Sequence, residues 1–354
     1  MDSLDFVALR HSKVIFLCLK GNHNSRTKNY FHGLTKKAVP AFWYDCSKRQ
    51  LLSLFFGGER RFLKKSGVRI VVASPSHVLS ILVFLFLQKR PILDAGWPLF
   101  DGVVTSRREF GFLGLNVLKT YLVDFLSFHC SSTVIVESDY QRRRVSSLFL
   151  LPRQRICVVE TGFDENRINH VKSFADLTDI NTFRVLFRGG NQKEAGLGVL
   201  IAAINKGRIR NKDICFHIIT NTNGDYVREN SRVEWVSRKV TDEELFEKYL
   251  SADLALGQLS KHKRLQWTIP HKFYEAAFFG LPYLTSNSLL MSEFSNEGFV
   301  FVFEAGDSSD LIAKIEMLSE NKALRIKAGL DLKDFYQKNL SQKVLSEKFF
   351  EVLH

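Results

Sequence analysis

The sequence predicts an α/β protein built from two consecutive doubly wound domains. Its 354 residues exceed what a single hydrophobic core usually supports and are ample for two domains. Short apolar runs without polar alternation suit parallel strands that are covered on both faces, and here they alternate with helix-like stretches. The alternation occurs twice, and the polar stretch 161–180 separates the two halves. Two such domains imply a cleft between them, with ligands outside the carboxyl ends of the strands.

The strands and helices follow one another in order within each half. In the first half we predict strands at 13–19, 41–44, 69–73, 91–93, 134–136 and 156–159, and helices at 27–38, 77–88, 111–129 and 138–149. In the second half we predict strands at 183–187, 215–220, 253–256, 283–285 and 299–303, and helices at 196–206, 241–250, 272–279 and 307–319. Thr241 and Glu244 form a capping box at the start of one of these helices. The predicted domains are 1–165 and 166–335, and residues 336–354 form a final helix that packs back on the first domain.

The net charge of +13 lies almost entirely in the first half. Residues 1–170 contain 25 Lys and Arg against 13 Asp and Glu, whereas residues 171–354 contain 25 against 24. A basic half favours an anionic partner, either nucleic acid or an acidic lipid surface, and the alternative is that the charge serves solubility alone. Basic residues flank the apolar segment 51–56, which indicates an interfacial helix or a core helix with a charged solvated face.

Localisation is predicted from three features of the sequence. The first ten residues contain two aspartates and no apolar run, so we expect no secretory signal. The five cysteines lie far apart without a C-x-x-C pair, which fits a reducing cytoplasm. The most apolar stretch, 78–87, has about half of the roughly 20 residues that a membrane-spanning helix needs, and we expect a buried helix there, with a helix that dips into the membrane surface as the alternative. We therefore expect a cytoplasmic protein, with peripheral attachment to the inner face of the cell membrane.

The first loop with chemical information follows the strand 183–187. Gly189 and Gly190 allow backbone amides to approach a phosphate, and the helix start beyond them adds a favourable partial charge. Arg188 and Lys193 bring fixed positive charges that neutralise a diphosphate without a metal ion. The loop therefore predicts a phosphate site, and the alternative is an ordinary turn.

The second such loop has the sequence TIPHKFYEAAFFGLP and contains an acidic residue, Glu275, in an otherwise apolar helix. The sequence shows no obvious internal partner for this carboxylate, and an unpaired buried carboxylate is costly. A hydroxyl pair on a ligand would satisfy it. The alternative is an ion pair with Lys272, three residues earlier on the helix.

The stretch IPHKFYEAAFFGLPYLTS resembles the donor-site signature of family 4 retaining glycosyltransferases. These enzymes have the GT-B fold, in which two Rossmann-like doubly wound domains face a central cleft. Glu275 matches the second glutamate of the signature, which in the family binds the ribose hydroxyls, while Trp267 stands where the first glutamate would be. The resemblance implies that the backbone amides of Thr268 and Ile269 contact the sugar or phosphate, and it groups Lys272 with the donor-binding residues.

The resemblance extends weakly over residues 13–318 and is specific only over 265–286. In the family, the loop after the first donor-domain strand normally carries an Arg and a Lys for the diphosphate. Gly190 and Ala195 stand at those positions here, so Arg188 and Lys193 are expected to substitute for them.

The resemblance also implies how the reaction is catalysed. Preplaced cations, Lys193 among them, stabilise the negative charge of the leaving diphosphate. The chain contains no D-x-D motif, and we expect neither a cofactor nor a required metal ion. For the base that orients or deprotonates the acceptor, the main candidates are Asp94, directly after the strand 91–93, and His23, in the loop after the first strand. Other acidic candidates at or just after strand ends are Asp101, Glu137 and Asp139.

These observations predict a glycosyltransferase that moves a sugar from a UDP- or GDP-linked donor to a lipid-linked or polysaccharide acceptor, with retention. The basic first domain would lie against an anionic membrane surface, as suits the synthesis of lipopolysaccharide or another cell-surface glycan. We expect no specific nucleic-acid partner. Two alternatives remain open: a sugar-nucleotide epimerase of similar fold, and a non-catalytic protein that binds anionic lipid or nucleic acid.

Overall fold

The computed structural model describes residues 9–19, 25–106, 114–170, 182–190, 192–206, 213–222 and 232–354. The chain divides into two compact units. Unit 1 comprises Met1–Asp164 together with Gln342–His354, and unit 2 comprises Glu165–Ser341.

Unit 1 contains a six-stranded parallel sheet. Its strands are β1 (Val14–Leu19), β2 (Ala41–Cys46), β3 (Arg69–Ala73), β4 (Ile92–Gly96), β5 (Thr133–Val136) and β6 (Ile156–Val158), in the order β2-β1-β3-β4-β5-β6. Its helices are α1 (Ser25–Lys36), α2 (Lys48–Phe56), α3 (Arg60–Leu63), α4 (Val78–Leu82), α5 (Leu115–Cys130), α6 (Asp139–Phe149) and the C-terminal α13 (Gln342–Val352). A π-helical turn, Val83–Leu87, continues α4.

Both faces of this sheet are covered, because successive residues of a strand point to opposite sides. Val14 and Phe16 of β1 join a core with α1 and α13, whereas Ile15 and Leu17 join a core with the helices α2 to α6. Burial on both faces explains why these strands are continuous apolar runs.

Unit 2 contains a second six-stranded parallel sheet. Its strands are β7 (Phe183–Arg188), β8 (Ile214–Ile219), β9 (Val233–Val236), β10 (Leu254–Leu256), β11 (Tyr283–Ser286) and β12 (Val300–Phe303), in the order β12-β11-β10-β7-β8-β9. The helices are α7 (Leu197–Lys206), α8 (Asp242–Ser251), α9 (His271–Phe279), α10 (Leu289–Asn296), α11 (Ser308–Glu320) and α12 (Lys322–Asn339).

The predicted fold class is confirmed: both units are doubly wound α/β structures around parallel sheets. The capping box of Thr241 and Glu244 is present at the start of α8. Some local predictions differ from the structure. The predicted final helix 336–354 is divided, because α12 ends at Asn339 and α13 spans Gln342–Val352. The fourth strand extends to Gly96 and so includes Asp94, and the apolar stretch 78–87 leaves Leu85 60% exposed. Within the described part of the chain, no helix is both long and apolar enough to cross a membrane.

Each sheet has one point at which the strand order reverses. In unit 2 this point lies between β7 and β10, because the chain proceeds from β7 toward β8 on one side and from β10 toward β11 on the other. The loops that follow such a strand pair diverge and leave a crevice at the carboxyl edge, where doubly wound sheets bind their ligands.

Candidate functional site

The carboxyl edge of unit 2 carries a cluster of charged residues at the switch point. Arg188 is the last residue of β7, and Gly257 directly follows β10. The first turn of α9 adds His271 and Lys272, and Glu275 follows one turn later. The structure thus brings together three of the residues that the sequence singled out, Arg188, Lys272 and Glu275, at the edge where the fold predicts a ligand.

Glu275 is fully buried and holds the cluster together. Arg188 Nη2 donates to its Oε1 (2.8 Å), Tyr249 Oη donates to its Oε2 (2.7 Å), and His271 Nδ1 lies 3.4 Å from Oε1. Burial acts to raise the pKa of Glu275, but the charge of Arg188 and the bonds from His271 and Tyr249 outweigh it and lower the pKa to about 2. The expectation that this carboxylate lacks an internal partner was wrong, because donors from β7, α8 and α9 converge on it.

Lys272 is buried beside this ion pair, with an exposed fraction of 7%. Its ammonium donates to Gly257 O (3.0 Å), lies 3.5 Å from Gln258 Oε1, and stands 4.4 Å from the centre of the Phe187 ring. The alternative prediction of an ion pair with Glu275 is therefore replaced by contacts to the loop after β10. Burial and the charge of Arg188 lower the pKa of Lys272 to about 7, although Glu275 opposes the shift. Lys272 therefore places a second positive charge near Arg188, and an anion bound at this position would be stabilised.

Close packing at this edge requires glycine. A Cβ atom on Gly257 would lie 2.3 Å from Tyr283 Oη, so no side chain fits there. A Cβ on Gly189 would lie 2.9 Å from the Phe187 ring. The amide of Gly189 donates to Ile219 O (2.9 Å), so it is engaged within the sheet edge. Gly190 is half-buried next to it.

The turn before α9 contributes a hydroxyl that has no partner among the described residues. Thr268 Oγ1 is buried and makes no hydrogen bond, and the neighbouring Ile269 is 7% exposed. A buried hydroxyl without a partner is costly, so a ligand oxygen is a suitable partner for it. Lys193, by contrast, is exposed on the loop after β7.

The candidate base of unit 1, Asp94, has its carboxylate fully occupied. Arg26 Nε donates to Asp94 Oδ1 (2.7 Å), and Thr27 Oγ1 donates to Oδ2 (2.5 Å), while all three residues are completely buried. Asp94 lies within β4, so the prediction that it directly follows the strand was wrong. The second candidate, His23, lies outside the described residues.

Sequence reasoning missed Tyr249, His271 and Arg26. His271 precedes Glu275 by four residues on one helix face, a spacing that pairs side chains and would have identified it. Tyr249 is on α8 and Arg26 on α1, and no local pattern connects either with its carboxylate. Among the described residues, no group of three or more His, Cys, Asp or Glu side chains has the arrangement of a metal site.

The two doubly wound units together define the GT-B fold, and comparison with solved structures gives the same result. HepE of Anabaena in complex with UDP matches with a TM-score of 0.68 and 14% identity, over 96% of this chain and 99% of that one. Two further structures of HepE hold UDP-glucose, or UDP and glucose.

Two other solved structures extend the comparison. Sucrose-phosphate synthase of Thermosynechococcus elongatus has a TM-score of 0.69 at 11% identity, with 96% and 98% of the two chains covered. A glycosyltransferase of Rickettsia africae has a TM-score of 0.64 at 13% identity, with 97% and 98% covered. No protein-family model and no curated protein sequence matches the chain. At these identities the likeness establishes the fold.

Proposed function

We propose that this protein is a glycosyltransferase that uses a UDP-linked sugar as its donor. The observation that carries the proposal is the cluster of Arg188, Lys272 and Glu275 at the switch point of unit 2. Solved structures of the same fold, HepE among them, hold UDP or UDP-glucose, and this favours uridine over the guanosine alternative.

The proposed donor position follows from the electrostatics of the cluster. The diphosphate would lie over the first turn of α9, where the helix dipole favours an anion. Lys272 and Arg188 would stabilise the charge that develops on the diphosphate as the sugar leaves. In this proposal Lys272 and Arg188, and not Lys193, stabilise the leaving diphosphate, and no metal ion is required.

In this proposal Glu275 is a positioning residue that acts through Arg188. Its carboxylate already accepts from Arg188 and Tyr249, so it fixes the guanidinium of Arg188 in place. Glu275 is completely buried, so a contact with the ribose, as the family resemblance implies, would require the residues that cover it to move. Retention of the anomeric configuration rests on the same resemblance and is part of the proposal.

We place the acceptor, a lipid-linked or polysaccharide glycan, at an anionic membrane surface. The helix α5 exposes a stripe of leucines at spacings of three and four residues: Leu115 (86% exposed), Leu118 (54%), Leu122 (44%) and Leu126 (47%). On the same sheet face, α2 exposes Leu52 and Phe56, each at 64%. Exposed apolar groups arranged in this way mark an interaction site.

Charged residues of the same layer of unit 1 favour an anionic surface. The segment around α3 exposes a run of cations at positions 60, 61, 64 and 65. The carboxylates of this layer are mostly buried, at positions 59, 101, 124 and 137. Asp139 is exposed but pairs with Arg142 at 2.6 Å. Apolar groups among unneutralised cations are typical of a face that docks on acidic lipid.

A thermal-shift screen against UDP, GDP, ADP and CMP, without added metal, tests the donor proposal. A ligand that binds only the folded state raises the free energy of unfolding, by about 2.7 kcal/mol at a hundredfold excess over Kd. UDP should give the largest shift, and Lys272→Met should abolish it, whereas the exposed Lys263→Met should leave it intact. The absence of a shift from every nucleotide would contradict the proposal. A second assay would follow UDP-glucose by chromatography, because interconversion of the sugar without release of UDP would instead identify an epimerase.

A further inference from the structure

Unit 1 contains a groove at the amino ends of its strands, opposite the edge where doubly wound sheets bind their usual ligands. The groove has a volume of about 840 Å³, within the range of about 300–1,000 Å³ that small-molecule sites occupy. It is lined by the first residues of β1, β3 and β4, which are Val14, Arg69 and Ile92, and by the last turn of the C-terminal helix.

The floor of this groove is apolar and its backbone is already paired. Val14, Ile70 and Ile92 form the floor, and Phe350 and Leu353 form a wall. The backbone amides of the strand starts are used within the sheet edge, because Val14 N donates to Pro40 O (3.1 Å) and Arg69 N donates to Lys13 O (2.9 Å). The floor therefore offers dispersion contacts and desolvation, and few hydrogen bonds for a sugar or a base.

The rim of the groove is cationic. Four of its lining side chains carry positive charge, namely Lys13, Arg69, Lys89 and Arg90, and no lining side chain is acidic. Partial burial and the neighbouring charge of Arg69 lower the pKa of Lys89, as expected where cations crowd one another. The ammonium of Lys89 is fixed on the rim, since it donates to the carbonyls of Lys65 (2.6 Å) and Val68 (3.3 Å).

We propose that this groove binds a single-chain anionic amphiphile, with its hydrocarbon chain along the apolar floor and a phosphate headgroup at the cationic rim. A chain alone would leave the rim charges uncompensated, and a phosphate alone would leave the floor uncovered. The lining of the groove includes neither a leucine of the α5 stripe nor a residue of the donor cluster of unit 2, so the site is distinct from both.

The test is a calorimetric titration with dodecyl phosphate below its critical micelle concentration. Inorganic phosphate supplies the headgroup without the chain, and dodecyl maltoside supplies a chain without the charge. The wild-type protein should bind one dodecyl phosphate per chain, at least tenfold more tightly than either partial ligand. Equal affinity for inorganic phosphate, or for dodecyl maltoside, would overturn the proposal.

Two groove variants and one control locate the site. The double variant Lys13→Glu with Arg69→Glu changes two exposed rim residues, and Val39→Trp fills the groove from its lining. Each should weaken dodecyl phosphate binding at least tenfold while thermal melting confirms a folded protein. The control, Leu118→Asp with Leu122→Asp on α5, should bind as the wild type does. Unchanged binding in both groove variants, or a loss in the α5 control alone, would show that the amphiphile binds elsewhere.

Discussion

Each unit contains a buried carboxylate paired with an arginine toward the carboxyl edge of its sheet, and the two pairs differ in what surrounds them. In unit 1, Arg26 and Asp94 are both completely buried. In unit 2, Glu275 is completely buried but Arg188 keeps 33% of its side chain exposed. The sealed pair in unit 1 has no access for a ligand, whereas the pair in unit 2 is open on its cationic side.

The balance of charge sharpens this comparison. The charge of Asp94 raises the pKa of Arg26 against the opposing effect of burial, so the pair in unit 1 is matched within the protein. In unit 2, Lys272 adds a second cation beside Arg188, and burial and the charge of Arg188 lower its pKa to about 7. A closed, matched pair leaves no uncompensated charge for a ligand, whereas an open pair with a second cation beside it is suited to bind an anion.

The largest expected effect is on the stability of unit 1. Asp94→Ala leaves the guanidinium of Arg26 buried without its partner, which should lower the free energy of unfolding by about 3–5 kcal/mol. Urea denaturation measures this loss. Asp139→Ala, which removes an exposed Arg–Asp pair, is the matched control and should cost at most about 1 kcal/mol. If the two substitutions lowered the free energy of unfolding equally, the buried pair would contribute no more to stability than the exposed pair does.

The next effect is on ligand affinity and concerns the open pair of unit 2, Arg188 and Glu275. Arg188→Ala should weaken UDP binding by about 10- to 100-fold, since a hydrogen bond to a charged group is worth about 1.5–3 kcal/mol. The substitution also leaves the buried carboxylate of Glu275 without its cation, so thermal melting must first show that the variant is folded. Isothermal titration calorimetry gives the affinity. Arg238→Ala removes an exposed arginine of the same unit and should leave the affinity unchanged. If the Arg188 variant bound UDP as tightly as the wild type does, the cluster would not be the donor site.

A third effect is the pH dependence that Lys272 contributes to stability. Its pKa in the folded protein is lowered to about 7, whereas a lysine in the unfolded chain titrates at about 10.4. Between these values the unfolded state binds more protons, so the stability contributed by this residue rises with pH across that window. Below pH 7 both states are protonated and the contribution is flat. Denaturation curves from pH 6 to 9 should show this rise in the wild type and a smaller one in Lys272→Met. Parallel pH profiles for the two proteins would show that Lys272 is not the source.

Substitutions in the proposed membrane face, at the exposed leucines of α5, should have the smallest effect on the donor site. Leu118→Asp with Leu122→Asp should reduce sedimentation with vesicles of acidic phospholipid while the UDP-induced thermal shift stays the same. Leu330→Asp, at a leucine of unit 2 that is 63% exposed, is the matched control and should sediment as the wild type does. Wild-type sedimentation of the α5 variant would remove the leucine stripe from the proposed membrane face.

The sequence predicted the fold well because buried parallel strands are continuous apolar runs, and these runs are visible without tertiary information. The misplaced end of the fourth strand shows the limit. Asp94 ends the apolar run 91–93 and therefore indicated a strand end, but Arg26 neutralises it within the sheet and β4 continues to Gly96. A polar residue inside a strand cannot be distinguished from one at its end until its partner is known.

The same limit applies to the candidate site. Glu275 was identified because an acidic residue in an apolar helix is conspicuous, but its partner Tyr249 comes from α8, 26 residues away. The leucines of α5 fell within a predicted helix, yet their periodicity alone does not distinguish a buried face from an exposed one. Local pattern located the elements and the unusual residue, and only the packing of the chain revealed which groups neutralise one another.

The central claim is that Lys272 and Arg188 bind the diphosphate of a UDP-sugar, and calorimetric titration of UDP-glucose at pH 6.5 and 8.5 tests it most directly. The bound diphosphate would favour protonated Lys272, so we expect wild-type affinity to be higher at pH 6.5. In Lys272→Met the affinity should be at least tenfold lower at pH 6.5 and nearly independent of pH, while Lys263→Met should behave as the wild type does. Equal affinities of wild type and Lys272→Met at both pH values would contradict the account.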